Sequence, residues 1–424
     1  MIKRDFYIER IAHNMWNGEV KVITGIRRSG KSVILFDLFY DYLVSHGVPD
    51  NHILKFQLDQ RRHYKFRNPI TLCEYVENIV CPNKNEKYYL FIDEVQLTIT
   101  TTDEKNGGIK VTIYDMLNEL KAYKNLDVYV TGSNSKGLSK DILTEFRGRA
   151  TQIHTYPLSF KEYYSHVGGD ERKALDNYML FGGMPRILRI EEDSDKKNYL
   201  SSLFTEVYIS DIVERNRLEK VDIVNAILDF LSSQISSLTN PTNIANALST
   251  KRGEKVNSTL VSKYIEYIKD SFLIDEARRY DVKGKSYFDY PNKYYYVDIG
   301  LRNARLNFRQ FDPGHIMENI IYNELKRRGY SVDVGVVLDR TKGKNQQKEV
   351  DFVVNDNDRK IYIQSAFLID NDEKMSTELL SLMLIKDFFK KIMIRMDIPH
   401  SFYDESGILH CKLIDFLLER VELF

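Results

Sequence analysis

At 424 residues the chain is too long for one ordinary core, and its 29% charged and 43% hydrophobic positions are those of folded domains rather than of a disordered chain. Its 61 Lys+Arg and 61 Asp+Glu cancel, which excludes a molecule-wide basic field for nucleic acid and leaves room only for a local patch. The cysteines Cys73, Cys81 and Cys411 fit neither a disulfide framework nor zinc spacing, and no apolar run nears the ~18 residues of a membrane span.

The N-terminus, MIKRDFYIERIAHNMW, is charged throughout and lacks the apolar stretch of a secretory signal, so a cytoplasmic protein without a membrane partner is expected. Residues 1–18 read as a short amphipathic helix leading to Gly18. EVKVIT at 19–24 reads as a strand, followed directly by GIRRSGKS and a helical pattern that Gly47 stops. Further buried strands are expected at 53–58, 88–92 and 127–131, separated by helical stretches. Strands alternating with helices predict a parallel sheet covered on both faces, an α/β core. The polar insert near 96–112 reads as a mobile loop.

GIRRSGKS fits G-x-x-x-x-G-K-[ST], between a strand and a helix as that pattern requires. Glycines let the backbone N–H groups wrap a phosphate at a helix N-terminus, where the dipole favours anions. Gly25, Arg28, Ser29, Gly30, Lys31 and Ser32 are therefore expected to bind ATP. Lys31 would reach the β- and γ-phosphates and Ser32 would hold Mg²⁺. YYLFIDE at 88–94 is an apolar strand ending in two carboxylates. Asp93 would bind the magnesium through water and Glu94 would polarise the attacking water. After the strand at 127–131, Ser133 or Asn134 could touch the γ-phosphate or the water, or could instead cap the next helix. Either Arg147 or Arg149 in FRGR could stabilise phosphoryl-transfer charge, with an ordinary surface position as the alternative for each.

The succession GIRRSGKS, LFIDEVQ, VTGSNS, FRGRA, YPLSFKEYY and FGGMP resembles the prokaryotic AAA+-like ATPases of the AAA_14 group that carry a C-terminal DUF4143 region. The resemblance implies a P-loop ATPase core (1–157), a helical lid (158–220), a winged-helix domain (221–305) and a degenerate nuclease-like domain (306–424). It also implies that Arg149, or Arg147, acts across a homo-oligomer interface on ATP held by the neighbouring subunit.

After Pro157 helical periodicity replaces strand signals up to about 215, broken by Gly168-Gly169 and the FGGMP turn. Residues 241–279 read as helix, turn, helix, strand, with Asn257 or Ser258 capping the second helix and Leu260, Tyr264, Ile265 and Ile268 on one face. Lys263, Tyr267 and Lys269 could enter a DNA groove beside a basic wing at 281–291. The same helix carries Glu266 and Asp270, which leaves a protein contact open. The last segment has the layout of a restriction-endonuclease-type core, with Glu318 on a helix and Asp351 on a strand. Gln364-Ser365-Ala366 stand where an acidic residue and a lysine belong, so a binding-only module is expected. The reading is an ATPase acting on DNA; the alternative is a signalling or scaffold NTPase whose C-terminal modules bind protein partners.

Overall fold

Apolar residues alternate in two sets along the strands of the first unit, Met1–Tyr156, and the computed structural model shows each set facing its own layer of helices. Residues 1–104, 107–132, 150–339 and 346–424 are described. Five strands, β1 (Val20–Thr24), β2 (Ile53–Gln57), β3 (Tyr88–Asp93), β6 (Leu126–Thr131) and β7 (Ala150–His154), form a fully parallel sheet in the order β2-β3-β6-β1-β7. Leu90, Ile92, Val128 and Val130 pack with the helices Pro69–Val80 and Ile113–Leu120. Tyr89, Phe91 and Tyr129 pack with the N-terminal helix Asp5–His13 and the helix of residues 31–45, which is π-wound at Ile34–Phe39. A sheet covered on both faces must read as continuous apolar runs, and β1, β3 and β6 are buried throughout.

The polar insert forms a short antiparallel hairpin of β4 (Thr101–Asp103) and β5 (Ile109–Val111) rather than an open loop. The edge strand β7 is not visible in the sequence because ATQIH has no apolar run, and only Ala150 and Ile153 of it are buried.

The second unit, Pro157–Phe424, starts with helices and ends in an eight-stranded mixed sheet. The motif segments prove to be packing devices. Ser159 and Glu162 of PLSFKEYY form a reciprocal cap on the helix Phe160–Val167. In FGGMP, a Cβ on Gly182 (φ +73°) would lie 2.3 Å from the Asp298 Oδ1, and Gly183 N–H donates to Asp298 Oδ2 at 2.7 Å. Three helices, Val221–Ser233, Pro241–Arg252 and Ser258–Asp270, precede β8 (Ile274–Ala277), which pairs antiparallel with β11 (Lys293–Tyr296). Asn257 is the cap residue, and Val261, not Leu260, joins Tyr264, Ile265 and Ile268 in the buried face.

The basic loop is not a free wing. Its β9 (Arg279–Asp281) and β10 (Ser286–Tyr287) form a hairpin that joins the large sheet through parallel pairing of β9 with β12 (Ser331–Asp339). The sheet continues through β13 (Gln346–Asp356), β14 (Arg359–Ala366), β15 (Lys390–Arg395), β17 (Leu409–Lys412) and β16 (Phe402–Tyr403). The helices Pro313–Arg327 and Asp372–Leu384 pack on it. No helix among the described residues is long and apolar enough to cross a membrane.

Candidate active site

The phosphate-loop residues lie at the C-terminal end of β1, where a parallel sheet opens its crevice. Gly25 has φ +134°, and a Cβ there would sit 2.0 Å from the Thr155 carbonyl oxygen, so no side chain fits. Arg28 is exposed with φ +68°, and Gly30 at φ +97° starts the helix at Lys31. Lys31 is buried, and its ammonium donates to the carbonyls of Gly25 (2.9 Å) and Ile26 (3.0 Å). Burial pushes its pKa down to about 8, against the pull of Glu94 and Asp93. The loop thus holds its lysine inward by its own carbonyls, where an arriving phosphate can replace them.

Asp93 and Glu94 follow from β3. Asp93 is buried, its Oδ1 accepts from Ser32 Oγ at 3.1 Å, and it also accepts from Thr131 Oγ1. Burial raises its pKa, and these two hydroxyls work the other way. Glu94 adopts a left-handed conformation (φ +53°), with its backbone N–H donating to Thr131 Oγ1 at 3.2 Å and its carboxylate accepting from Gln96 Nε2. A left-handed non-glycine residue is uncommon, and this one turns the chain sharply straight after Asp93. A hydroxyl and a carboxylate 3.1 Å apart are hard oxygen donors of the kind magnesium takes, so Ser32 and Asp93 fit that ion.

Nothing local in the sequence marks Thr131, which directly precedes the small polar residues after the strand. Its hydroxyl bridges Asp93 and the Glu94 backbone from the end of β6. Arg4 was missed as well, and it reaches the phosphate loop from the N-terminal segment. Ser29 is fully buried, and its Oγ has no hydrogen-bond partner among the described residues. Ser133, Asn134, Arg147 and Arg149 lie outside the described residues.

A second polar cluster lies in the C-terminal sheet. Lys293 of β11, almost fully buried, puts its ammonium 2.7 Å from Glu318, 2.6 Å from Glu349 and 3.7 Å from Asp351. Tyr295 also donates to Glu318, at 2.7 Å. Burial lifts the Glu318 pKa to about 8, with Lys293 opposing and Asp351 adding to the rise. Asp351 accepts from Ser365 N and Ser365 Oγ, both at 2.8 Å, while its own N–H donates to Gln364 Oε1 at 3.3 Å. Lys293 comes from β11 and Glu349 stands two residues before Asp351 on β13, positions that the spacing along β14 does not reveal. Lys269, expected in a DNA groove, is instead paired with Glu266 (2.8 Å) and Glu276, while Lys263 is exposed.

Residues 17–164 match the AAA_14 family, described as an AAA domain. Residues 172–312 match a domain of unknown function, DUF8612, where the resemblance had implied DUF4143. An uncharacterized protein of Haemophilus influenzae is 32% identical over 99% of both chains. One from Methanocaldococcus jannaschii is 28% identical over 88% of this chain and 79% of its own length. Among solved structures, the Walker-type ATPase of Pyrococcus abyssi aligns over 72% of this chain and 96% of its own, with 16% identity and a TM-score of 0.48.

Proposed function

The chain belongs to the family of the Haemophilus influenzae protein that it matches from end to end, with an AAA domain at residues 17–164, and on that premise we propose that it hydrolyses ATP to ADP and phosphate. The observation that carries this reading is the convergence of Lys31, Ser32, Asp93, Thr131 and Glu94 at the ends of β1, β3 and β6. In this reading Lys31 exchanges the Gly25 and Ile26 carbonyls for the β- and γ-phosphates. Ser32 and Asp93 hold magnesium, which when bound neutralises charge building on the phosphate oxygens. Glu94, aimed by its turn and by Gln96, orients the attacking water. Asn134 or Ser133 contacts the γ-phosphate, and Arg149 or Arg147 serves a neighbouring subunit's nucleotide in a homo-oligomer.

The second unit carries the output. We read 158–220 as a helical lid, 221–305 as a winged-helix domain that contacts DNA, and 306–424 as a restriction-endonuclease-like module that does not cut it. Exposed Lys263 beside Tyr267 on the helix Ser258–Asp270 supports a DNA contact. The ion pairs that occupy Lys269, and the pairing of β9 into the sheet, favour the second reading, a protein partner. Lys293 occupies the centre of the carboxylates that a nuclease would use for metal, which supports a binding-only module. ATP turnover measured with and without duplex, single-stranded and branched DNA separates the two. Stimulation by DNA that fades steeply with added salt supports DNA as partner, and turnover indifferent to every DNA supports the protein partner.

A further inference from the structure

We propose that Arg4 is a positioning residue for the phosphate loop, clamping it to the end of the strand by which the chain leaves the first unit; this rests on the ATP-site reading above. Arg4 precedes the helix Asp5–His13, at the start of the chain, yet it is 4% exposed. One guanidinium nitrogen donates to the Ser29 carbonyl at 3.0 Å, and the other donates to the Tyr156 carbonyl at 2.9 Å. The group lies 4.5 Å from the ring centroid of Tyr7, which is fully buried, and Tyr7 Oη accepts from Tyr156 N–H at 3.0 Å. Thr155 N–H donates to the Thr24 carbonyl at 2.8 Å, so the strand extension is itself anchored beside the start of the loop.

The consequence for phosphate follows from peptide geometry. In a planar trans peptide the N–H of Gly30 points opposite to the carbonyl of Ser29. Holding that carbonyl therefore fixes which way the Gly30 N–H faces, and backbone N–H groups of this loop are what a phosphate needs. Arg28, the residue before Ser29, is a non-glycine residue held at φ +68°, an uncommon conformation that persists only where the surroundings fix it. A guanidinium reaches two carbonyls through separate, rigidly spaced nitrogens, whereas a lysine ammonium must serve both from one atom and so needs them close together, as Lys31 has the Gly25 and Ile26 carbonyls. Tyr156 is the last residue of the first unit, so the same side chain joins the loop to the point where the chain crosses to the second.

The test uses full-length wild-type protein, Arg4→Ala, Arg4→Lys, Tyr7→Phe and Lys31→Ala. Affinity for ATP and ADP is measured by calorimetry, and thermal unfolding is followed without nucleotide. Arg4→Ala is expected to weaken both nucleotides about tenfold to hundredfold, the scale of one charge-assisted hydrogen bond. Arg4→Lys should recover only part of this, Tyr7→Phe should weaken binding less than Arg4→Ala, and guanidinium ion at low millimolar concentration should restore binding to Arg4→Ala but not to Lys31→Ala. A role in packing alone would lower the melting temperature and leave the affinity of the folded protein unchanged, and that result overturns the proposal. Wild-type affinity in Arg4→Ala with lost affinity in Lys31→Ala overturns the proposal alone. Equal affinity in wild type and Lys31→Ala overturns the ATP-site reading and the clamp with it.

Discussion

Thr131 works through one hydroxyl, which donates to Asp93 and accepts the Glu94 backbone N–H. Thr131→Val keeps the shape and removes both bonds. Stability should fall by about 1–2 kcal/mol, since a buried carboxylate loses one of two hydroxyl donors. Turnover should fall about tenfold or more because the two carboxylates lose their shared brace. Steady-state phosphate release beside a thermal melt checks both, and unchanged turnover would remove Thr131 from the site. At this scale the sequence marks Gly25 to Ser32, Asp93 and Glu94 as candidates, through short spacing and backbone shapes that glycine permits, and the structure brings Ser32, Asp93 and Glu94 together. It hid Thr131 and Arg4, whose partners lie 38, 25 and 152 residues away. Nothing local marks such a residue; only the fold brings the groups together.

Elements join through buried polar groups in the second unit, and two of them give measurable consequences. Asp298 caps the helix Ile299–Arg305 and binds the Gly183 N–H, and burial raises its pKa from 3.8 to about 6. The folded chain therefore holds this proton more tightly than the unfolded chain. The group's contribution to stability is full below about pH 4 and is lost as pH rises through about 6, a change on the order of 2–3 kcal/mol. Asp298→Asn cannot titrate, so the stability gap between wild type and variant should shrink from pH 4.5 to 7.5 in parallel melts. A gap that is constant or widening would contradict this. Lys293→Met should be costlier, about 3–5 kcal/mol, because buried Asp351 and half-buried Glu349 would be left without their cation. Magnesium should then raise the variant's melting temperature more than the wild type's, and an equally stable variant would refute the role given to Lys293. The apolar strands β1, β3 and β6 were legible because burial on both faces leaves continuous runs. The strands β15 and β17 carry a weaker signal, since KKIMIR has only three apolar residues in a row and LHCK interrupts its apolar residues with His410.

At the scale of the whole molecule, the first unit is a nucleotide-binding core by its sheet order, its loop and its AAA domain match. An arginine supplied between subunits makes a prediction no single chain can satisfy. Arg149→Ala protein, or failing that Arg147→Ala, should bind ATP normally and turn it over slowly. Mixing it with Lys31→Ala protein should restore part of the activity, since each supplies what the other lacks, and full activity at every dilution of a strict monomer would contradict it. The nucleotide core was legible in the sequence because its chemistry is carried by contiguous motifs. The output of the second unit was not, because helix faces and shared sheet edges bear no such signature. In the proposed function Lys31 and Glu94 have separate roles, one touching phosphate and the other only water. Nucleotide affinity and single-turnover hydrolysis of radiolabelled ATP, measured side by side in wild type, Lys31→Ala and Glu94→Gln, test this division. Lys31→Ala should lose tight binding, whereas Glu94→Gln should bind ATP as wild type does and not hydrolyse it. Hydrolysis at the wild-type rate in Glu94→Gln, or equal loss of affinity in both variants, would contradict the division.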